Sequence, residues 1–492
     1  MTRLICNRCV SSVYFTCLIC LASSIEITAA GELRLTPCER EDISPPAKCG
    51  TFTVWENRDT QAGRKIDLRV VVLEASGPTK RPDAYLYLMG GPGEAATSMA
   101  SEFNRHRVRE QRDVLLVDVR GAGNSNGLYC QPAPTAPLQE FMPLMDARRT
   151  QQCVIALSQQ ADLRYYLTSH AMDDLDELRA ALGYQQINIE AGSHGTLGAL
   201  TYIERHGEHV RSAILLAATG RSLPMPRYAA IDTEGAMRSV LSDCAADADC
   251  AAAFPKLQQE YATAVRKINE RGSVAVRVRD PRDSQMHEVR MSATDFAESL
   301  RALLYQPETT RRIPFLLHRA ATRDDYTPFA QFQVERNIAI AASIAKGLYF
   351  AVTCTEDIAR VKPEEVYAAG RGTFLDDHRA RPHIESCKGW PLGRLPDGFS
   401  QEVRSNVPVL IVNGASDPAT PPYAAHAAAS RMMNARVLIV PQGSHGLRGL
   451  NDAKCIDDIL WRFLETPRPH ALDASCLAAV RRKPFVVNDA EQ

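Results

Sequence analysis

Apolar and polar positions alternate with a period near two along the first part of the chain, so 51–56, 65–75, 84–89 and 114–119 read as strands. The period then lengthens. Leu175, Leu178 and Leu182 predict a helix over 171–182, which leads into a β-branched strand at 187–189, a helix over 196–205 and an apolar strand at 213–218. That βαβ succession predicts an α/β protein with a mostly parallel sheet and helices on both faces. From about 221 to 400 the pattern is mainly helical, at 243–269, 293–305 and 333–345, with one polar strand at 273–280. This stretch reads as an inserted helical cap. Strand patterns return at 407–413 and 437–440, and an amphipathic helix over 456–464 follows. The expected organisation is therefore core at 31–220, cap at 221–400 and core again at 401–492.

The first thirty residues do not fit that pattern. Arg3 and Arg8 precede a mostly apolar run from Val10 to Ala22, and small residues stand before Gly31, which predicts a signal peptide over 1–30 and export to the periplasm or beyond. No later segment has the apolar length to cross a bilayer, so no membrane partner is expected after signal removal. A net charge of −1 leaves no footprint for nucleic acid. Four of the fourteen cysteines (Cys6, Cys9, Cys17, Cys20) fall in the signal segment, and the other ten form sequence neighbours suited to an oxidising compartment. Short loops close most readily, which favours Cys38–Cys49, Cys130–Cys153, Cys244–Cys250, Cys354–Cys387 and Cys455–Cys476. The Cys-x-x-Cys pairs near the start lie in the apolar leader, and neither a metal nor a cofactor is expected.

Gly-Ser-His-Gly occurs twice, at 192–195 and 443–446, in different settings. The first copy lies between a strand and a helix, the setting of a nucleophile elbow; the second opens a glycine-bearing loop after a strand. Serine needs a base to take its proton, and the base needs a carboxylate to hold its tautomer. Ser193, Asp417 and His445 supply these groups in the order serine, acid, histidine, each beyond the end of a predicted strand, which predicts an eight-stranded α/β-hydrolase fold. Of the twelve histidines, His206, His209 and His318 sit on helix-like stretches, whereas His445 follows a late strand and is flanked by glycine. Ala191 replaces the first glycine of the strict elbow pattern, and Gly195 keeps the second. Taken singly, Ser193 could be a turn serine, and Asp417 could open a helix with Thr420 as N-cap and Pro421 as first helical residue. For the oxyanion hole, His194 is expected to lend its amide and Gly91, in the loop Gly90-Gly91-Pro92-Gly93, the second donor. That loop lacks the spacing and lysine of a phosphate-binding loop.

Together with Asp118-Val119-Arg120-Gly121, Asn413-Gly414-Ala415-Ser416-Asp417-Pro418, Cys354-Thr355-Glu356-Asp357 and Cys387-Lys388-Gly389-Trp390-Pro391, these motifs resemble the secreted tripeptidyl-aminopeptidase branch of the proline-iminopeptidase-like α/β hydrolases. The resemblance spans nearly the whole mature chain; Ala191 and His194 depart from its usual glycine and tyrosine. It implies an exopeptidase that releases short peptides from free N-termini through an acyl-enzyme, with Ser193, Asp417 and His445 as triad. Glu356 could hold the substrate ammonium, complete a capping box begun at Thr353, or pair with an arginine. Asp118 and Arg120 are expected to stabilise their loop. The same triad would serve a carboxylesterase, and a binding protein on a hydrolase scaffold is the non-enzymatic reading. Side-chain preference and oligomeric state are not encoded in these motifs.

Overall fold

The strongest apolar runs become the middle of a sheet. A computed structural model of the chain describes residues 31–130, 132 and 135–488, so the expected signal segment lies outside the described residues. Its strands are β1 (Leu33–Pro37), β2 (Ala47–Trp55), β3 (Lys65–Leu73), β4 (Ala84–Leu88), β5 (Val114–Val117), β6 (Ile187–Gly192), β7 (Val210–Leu216), β8 (Ser273–Arg279), β9 (Met286–Ser292), β10 (Val409–Gly414) and β11 (Ala435–Val440). All but β8 and β9 form one sheet in the order β1-β2-β3-β5-β4-β6-β7-β10-β11. The pairs from β5 to β11 are parallel and those from β1 to β5 through β3 antiparallel. This is the doubly wound α/β-hydrolase arrangement, with the β4/β5 exchange that turns its connections to both faces.

The sheet has nine strands rather than the expected eight. The extra one, β1, is five residues long and pairs only with β2 at the antiparallel edge. It is too short, and too exposed on alternate positions, to announce itself by periodicity. Both faces of the central strands are covered. Leu86, Leu88, Val117 and Ile189 pack on one side with the helices Thr168–Ala181 and Gly195–His206, while Tyr85, Leu116, Val71 and Leu73 pack on the other. The final helix, Ala453–Glu465, buries Ile456, Ile459 and Phe463 against Ile214, Leu410 and Val412, as its amphipathic spacing requires.

Between β7 and β10 the chain builds a second apolar cluster around Met237, Ile268, Leu300, Leu317 and Phe329. The helix expected over 243–269 is three helices here, Ala229–Ala246, Ala248–Ala253 and Leu257–Arg271. Asp247 accepts the Cys250 amide as an N-cap, Pro255 cannot continue a helix, and Cys244–Cys250 ties the break. The expected polar strand is β8, which pairs with β9 in a hairpin. β9 is mostly exposed and rich in polar residues, so its alternation was weak. The helix Lys346–Glu356 packs its apolar side on the sheet's cluster rather than on the second one.

All five expected disulfides form. The loop after β5 is stabilised as expected: Asp118 accepts the Thr97 and Asn124 amides at 2.9 and 3.1 Å. Arg120, fully buried, forks onto Asp174 at 2.6 and 2.8 Å and also donates to the carbonyls of Glu56 and Tyr165. Removing one partner of such a pair strands the other charge in low dielectric. Arg120→Met is therefore expected to cost about 3–5 kcal/mol of unfolding free energy, read by denaturant titration; a loss within experimental error would show that Arg58, which also reaches Asp174, suffices alone.

Candidate active site

At the end of β6 the backbone turns sharply into the helix Gly195–His206, and Ser193 sits on that turn with φ at +52°. A side chain in this left-handed region is strained by about 1–3 kcal/mol unless its surroundings hold it. They do: the Ser193 amide donates to Leu216 O of β7 at 2.9 Å, and Thr196 returns both its amide and its hydroxyl to Ser193 O at 2.9 and 2.6 Å. Gly195 is forced, because a Cβ there would lie 2.5 Å from Leu88 O and 2.6 Å from Met89 O of the β4 end. Ala191, in contrast, sits fully buried inside β6. The elbow accommodates its methyl.

Two further loops converge on Ser193. His445, beyond β11, reaches Ser193 Oγ through Nε2 at 2.8 Å, and its Nδ1 lies 3.0 and 3.1 Å from the Asp417 carboxylate oxygens. Asp417, beyond β10, is buried and accepts the Ala419 and Thr420 amides at 2.8 Å each and the Thr420 hydroxyl at 2.6 Å. Burial pushes this carboxyl up, but His445 and the Thr420 donors outweigh it and hold it below the usual carboxylate range. The two loops meet because Gly414 has no side chain: a Cβ there would stand 2.2 Å from Ser444 O. Thr420 is thus not an N-cap. The helix Pro422–Ala429 starts after Pro421, and Thr420 buttresses the carboxylate instead.

Ser193 and His445 face a cavity of about 500 Å³, which Gly91 and His194 also line, while Asp417 lies buried behind His445. Among the described residues, neither the Gly91 nor the His194 amide has a backbone acceptor outside helices and strands. The His194 imidazole is buried, its Nε2 is unpartnered, and burial lowers its pKa to about 4, so the ring is neutral. The cavity roof carries Tyr305, whose ring centre lies 4.8 Å from that of His445 and whose carbonyl accepts the Gly446 amide at 2.8 Å. Gly446 leaves room for the Gln306 side chain, which a Cβ would meet at 2.1 Å.

Glu356 is not where an ammonium ligand should be. It ends the helix Lys346–Glu356 instead of starting one, and its carboxylate accepts the Thr168 amide at 2.7 Å and hydroxyl at 2.8 Å. It therefore caps the helix Thr168–Ala181, a partner 188 residues away that no local spacing could reveal. Its neighbour Asp357 lines the cavity, as do Glu94 and Asp232. Burial raises all three: Asp357 to about 8, with Glu356 adding to the effect, Asp232 to about 6, and Glu94 upward against the pull of His445. Glu94 carried no motif signal; only its position in the glycine loop hinted at it. Among the described residues, Asp176–His206–His209 and Asp280–Asp283–His287 are close enough to share a metal, but arginines neighbour both groups and neither lines the cavity.

Two outcomes follow from these groups. Thr420→Val removes one hydrogen bond from Asp417 at constant shape and is expected to lower kcat about tenfold with little change in KM; unchanged kcat would mean the backbone amides alone orient the acid. Asp357 binds its proton more tightly folded than unfolded, so it costs stability as pH rises from about 4 to about 8. Asp357→Asn keeps the acceptor for the Met225 amide and is expected to flatten the fall of Tm between about pH 5 and 8. An unaltered slope would rule out this source.

Residues 374–476 match the family described as TAP-like protein. Serine protease Hip1 of Mycobacterium tuberculosis is 23% identical over 468 residues, covering 87% of this chain and 88% of that protein. Tripeptidyl aminopeptidase of Streptomyces lividans is 24% identical over 492 residues, covering 90% of this chain and 86% of that protein. Among solved structures, a bromoperoxidase from Bacillus anthracis aligns over 85% of this chain and 100% of that one, at 15% identity and a TM-score of 0.38. With this sheet and these similarities, the chain is a serine hydrolase of the α/β-hydrolase type with a TAP-like C-terminal segment.

Proposed function

We propose that the protein is an exported aminopeptidase that releases short peptides from free N-termini. The observation that carries this reading is the Ser193–His445–Asp417 chain of contacts at 2.8 and 3.0 Å, in a chain similar along most of its length to a tripeptidyl aminopeptidase. Ser193 Oγ attacks the scissile carbonyl while His445 Nε2 takes its proton, and Asp417 steadies the resulting imidazolium. The carbonyl oxygen becomes an oxyanion held by the Gly91 and His194 amides. His445 then gives the proton to the departing amine, and water repeats the sequence on the acyl-enzyme.

Selection for a free amine needs a carboxylate in reach of the substrate. Glu94, Asp232 and Asp357 on the cavity wall support a peptidase over a simple esterase, and an arriving ammonium would favour their ionised forms. In this reading 221–400 acts as the cap that bounds the cavity and sets how many residues fit. Export, with 1–30 as signal, is supported by five disulfides. Among the described residues no helix is long and apolar enough to cross a membrane.

A panel of peptides with free and acetylated N-termini, with products mapped by mass spectrometry, tests the proposal. Free-amine peptides are expected to turn over at least about tenfold faster; faster cleavage of blocked peptides or simple esters would replace aminopeptidase with acyl hydrolase. Ser193→Ala and His445→Ala are each expected to lower kcat by about 10⁶-fold, and Ser193 should be labelled by an active-serine phosphonate. Ser444→Ala should keep most activity, because Ser444 touches Thr310 at 3.5 Å rather than the triad. No labelling and no turnover would leave a binding protein.

A further inference from the structure

The cavity has an unbalanced charge that the hydrolytic chemistry does not use. Arg301, Arg336, Lys346 and Arg379 all line it, on the helices Ala293–Leu303, Thr327–Ser343 and Lys346–Glu356 and at the start of Ala380–Cys387. One carboxylate faces the three guanidinium groups. Glu298 accepts from Arg379 at 3.2 Å, and although burial pushes it up, Arg379, Arg301 and Arg336 together hold it below its usual range. It is ionised and already committed.

The remaining donors are short of acceptors. Arg301 Nε is buried without a partner, and its Nη2 donates to the Tyr305 hydroxyl. Arg336 has only a long 3.4 Å contact to Asn337 Oδ1, and among the described residues no carboxylate lies within 4 Å of Arg301, Arg336 or Lys346. Lys346 spends one hydrogen on Leu144 O at 2.6 Å. Tyr349, on the same wall, buries a hydroxyl with no partner. Burial lowers Arg336 to about 10 even against the pull of Glu298, with Arg301 and Arg379 adding to the fall, and burial with Arg149 and Arg336 lowers Lys346 to about 8. The cavity's own acids cancel little of this excess: Asp232 feels Arg301, but burial outweighs it and its carboxylate is bonded to Tyr423; Asp357 is bonded to the Met225 amide, and the charge that acts on Glu94 is His445. Arg301 is buried, and Arg336 and Lys346 are half-buried beside it; an under-compensated cation costs more the less water reaches it, so this cluster facing a cavity beside a nucleophile calls for an anion from outside.

We propose that Arg301, Arg336 and Arg379 form a carboxylate-binding subsite, and that the preferred substrates are short peptides bearing a carboxylate that reaches it while the scissile carbonyl rests on Ser193. Guanidinium forks match a carboxylate in shape as well as charge. The reach is right: the Arg301 guanidinium lies 4.8 Å from the Tyr305 ring centre, and that ring lies 4.8 Å from His445. The carboxylate can come from an acidic side chain or from the C-terminus of a very short peptide. The substrate class rests on the peptidase reading; the subsite does not.

Calorimetric titration of the Ser193→Ala protein separates the two. The probes are Ala-Ala-Glu amide, Ala-Ala-Gln amide and Ala-Ala-Gln free acid, each with a free and an acetylated N-terminus. One or both carboxylate-bearing peptides are expected to bind about tenfold or more tighter than the neutral amide, and the tighter one identifies the source. Adding Arg336→Gln should reduce that ratio to below about threefold, with Arg336→Lys in between. Equal binding of all three, or a ratio untouched by Arg336→Gln, overturns the subsite. Equal binding of free and acetylated forms overturns the aminopeptidase reading and leaves the subsite standing. Arg336→Gln removes a cation that has no carboxylate within 4 Å and leaves Glu298 its closer partner Arg379, so it is expected to unfold no lower than its parent; should it fail to fold, Arg301→Lys, which keeps charge but loses the fork, carries the same comparison.

Discussion

Ser193 occupies a backbone conformation that a side chain adopts only under compulsion, and most of the fold can be understood as what compels it. The left-handed turn is held from β7 through the Leu216 carbonyl, from the following helix through Thr196, and from β4 through the space that Gly195 leaves open. Each clamp comes from a different element. The parallel order β4-β6-β7 is what brings all three to one point, so the strain is stored by sheet register rather than by the turn's own sequence. This also explains why Ala191 is tolerated. The close approach is at Gly195, where backbone carbonyls cannot move, whereas position 191 lies within a regular strand.

Asp417 and His445, the proposed acid and base, depend on a second close approach. Gly414 lets the loop after β10 touch the loop after β11, and that contact sets Asp417 beside His445. The base loop is fixed from the other side by the segment between β7 and β10, through Tyr305 and Gln306. The inserted segment is therefore no passive roof. A shift of the helix Ala293–Leu303 would carry Tyr305, and with it the ring against His445 and the carbonyl that receives Gly446.

What could be read in the sequence follows from how local each signal is. The strands, the meeting of Ser193, His445 and Asp417, and the five disulfides rest on periodicity, on order along the chain and on short loops, all of which are read from the sequence itself. Glu356 and Thr420 depart from their local patterns for the opposite reason. Both sit in segments with good helix-start chemistry, yet each turns its oxygen elsewhere, Glu356 to Thr168 and Thr420 to Asp417. Capping patterns record what a residue can do for its own helix, and tertiary contacts supply a better partner. β1 and β9 carry no strand signal in the sequence, because edge and hairpin strands with exposed faces show little apolar alternation.

The same distinction explains why the charge of the cavity was invisible. Arg301, Arg336, Lys346 and Arg379 come from separate stretches, and each alone reads as an ordinary helix cation. Only their convergence on one cavity wall, with the three arginines sharing the single committed carboxylate of Glu298, makes them unusual. Stability would be better served by one apolar replacement or one more acid, so their persistence on the cavity wall points to a ligand and not to the fold. The acids of the cavity strengthen that view. Asp357 and Asp232 are pushed toward their protonated forms by burial, although Arg301 pulls Asp232 the other way, and among the described residues neither acid forms an ion pair with Arg301, Arg336 or Lys346. A cavity that keeps opposite charges apart without letting them pair is shaped for a molecule that carries both.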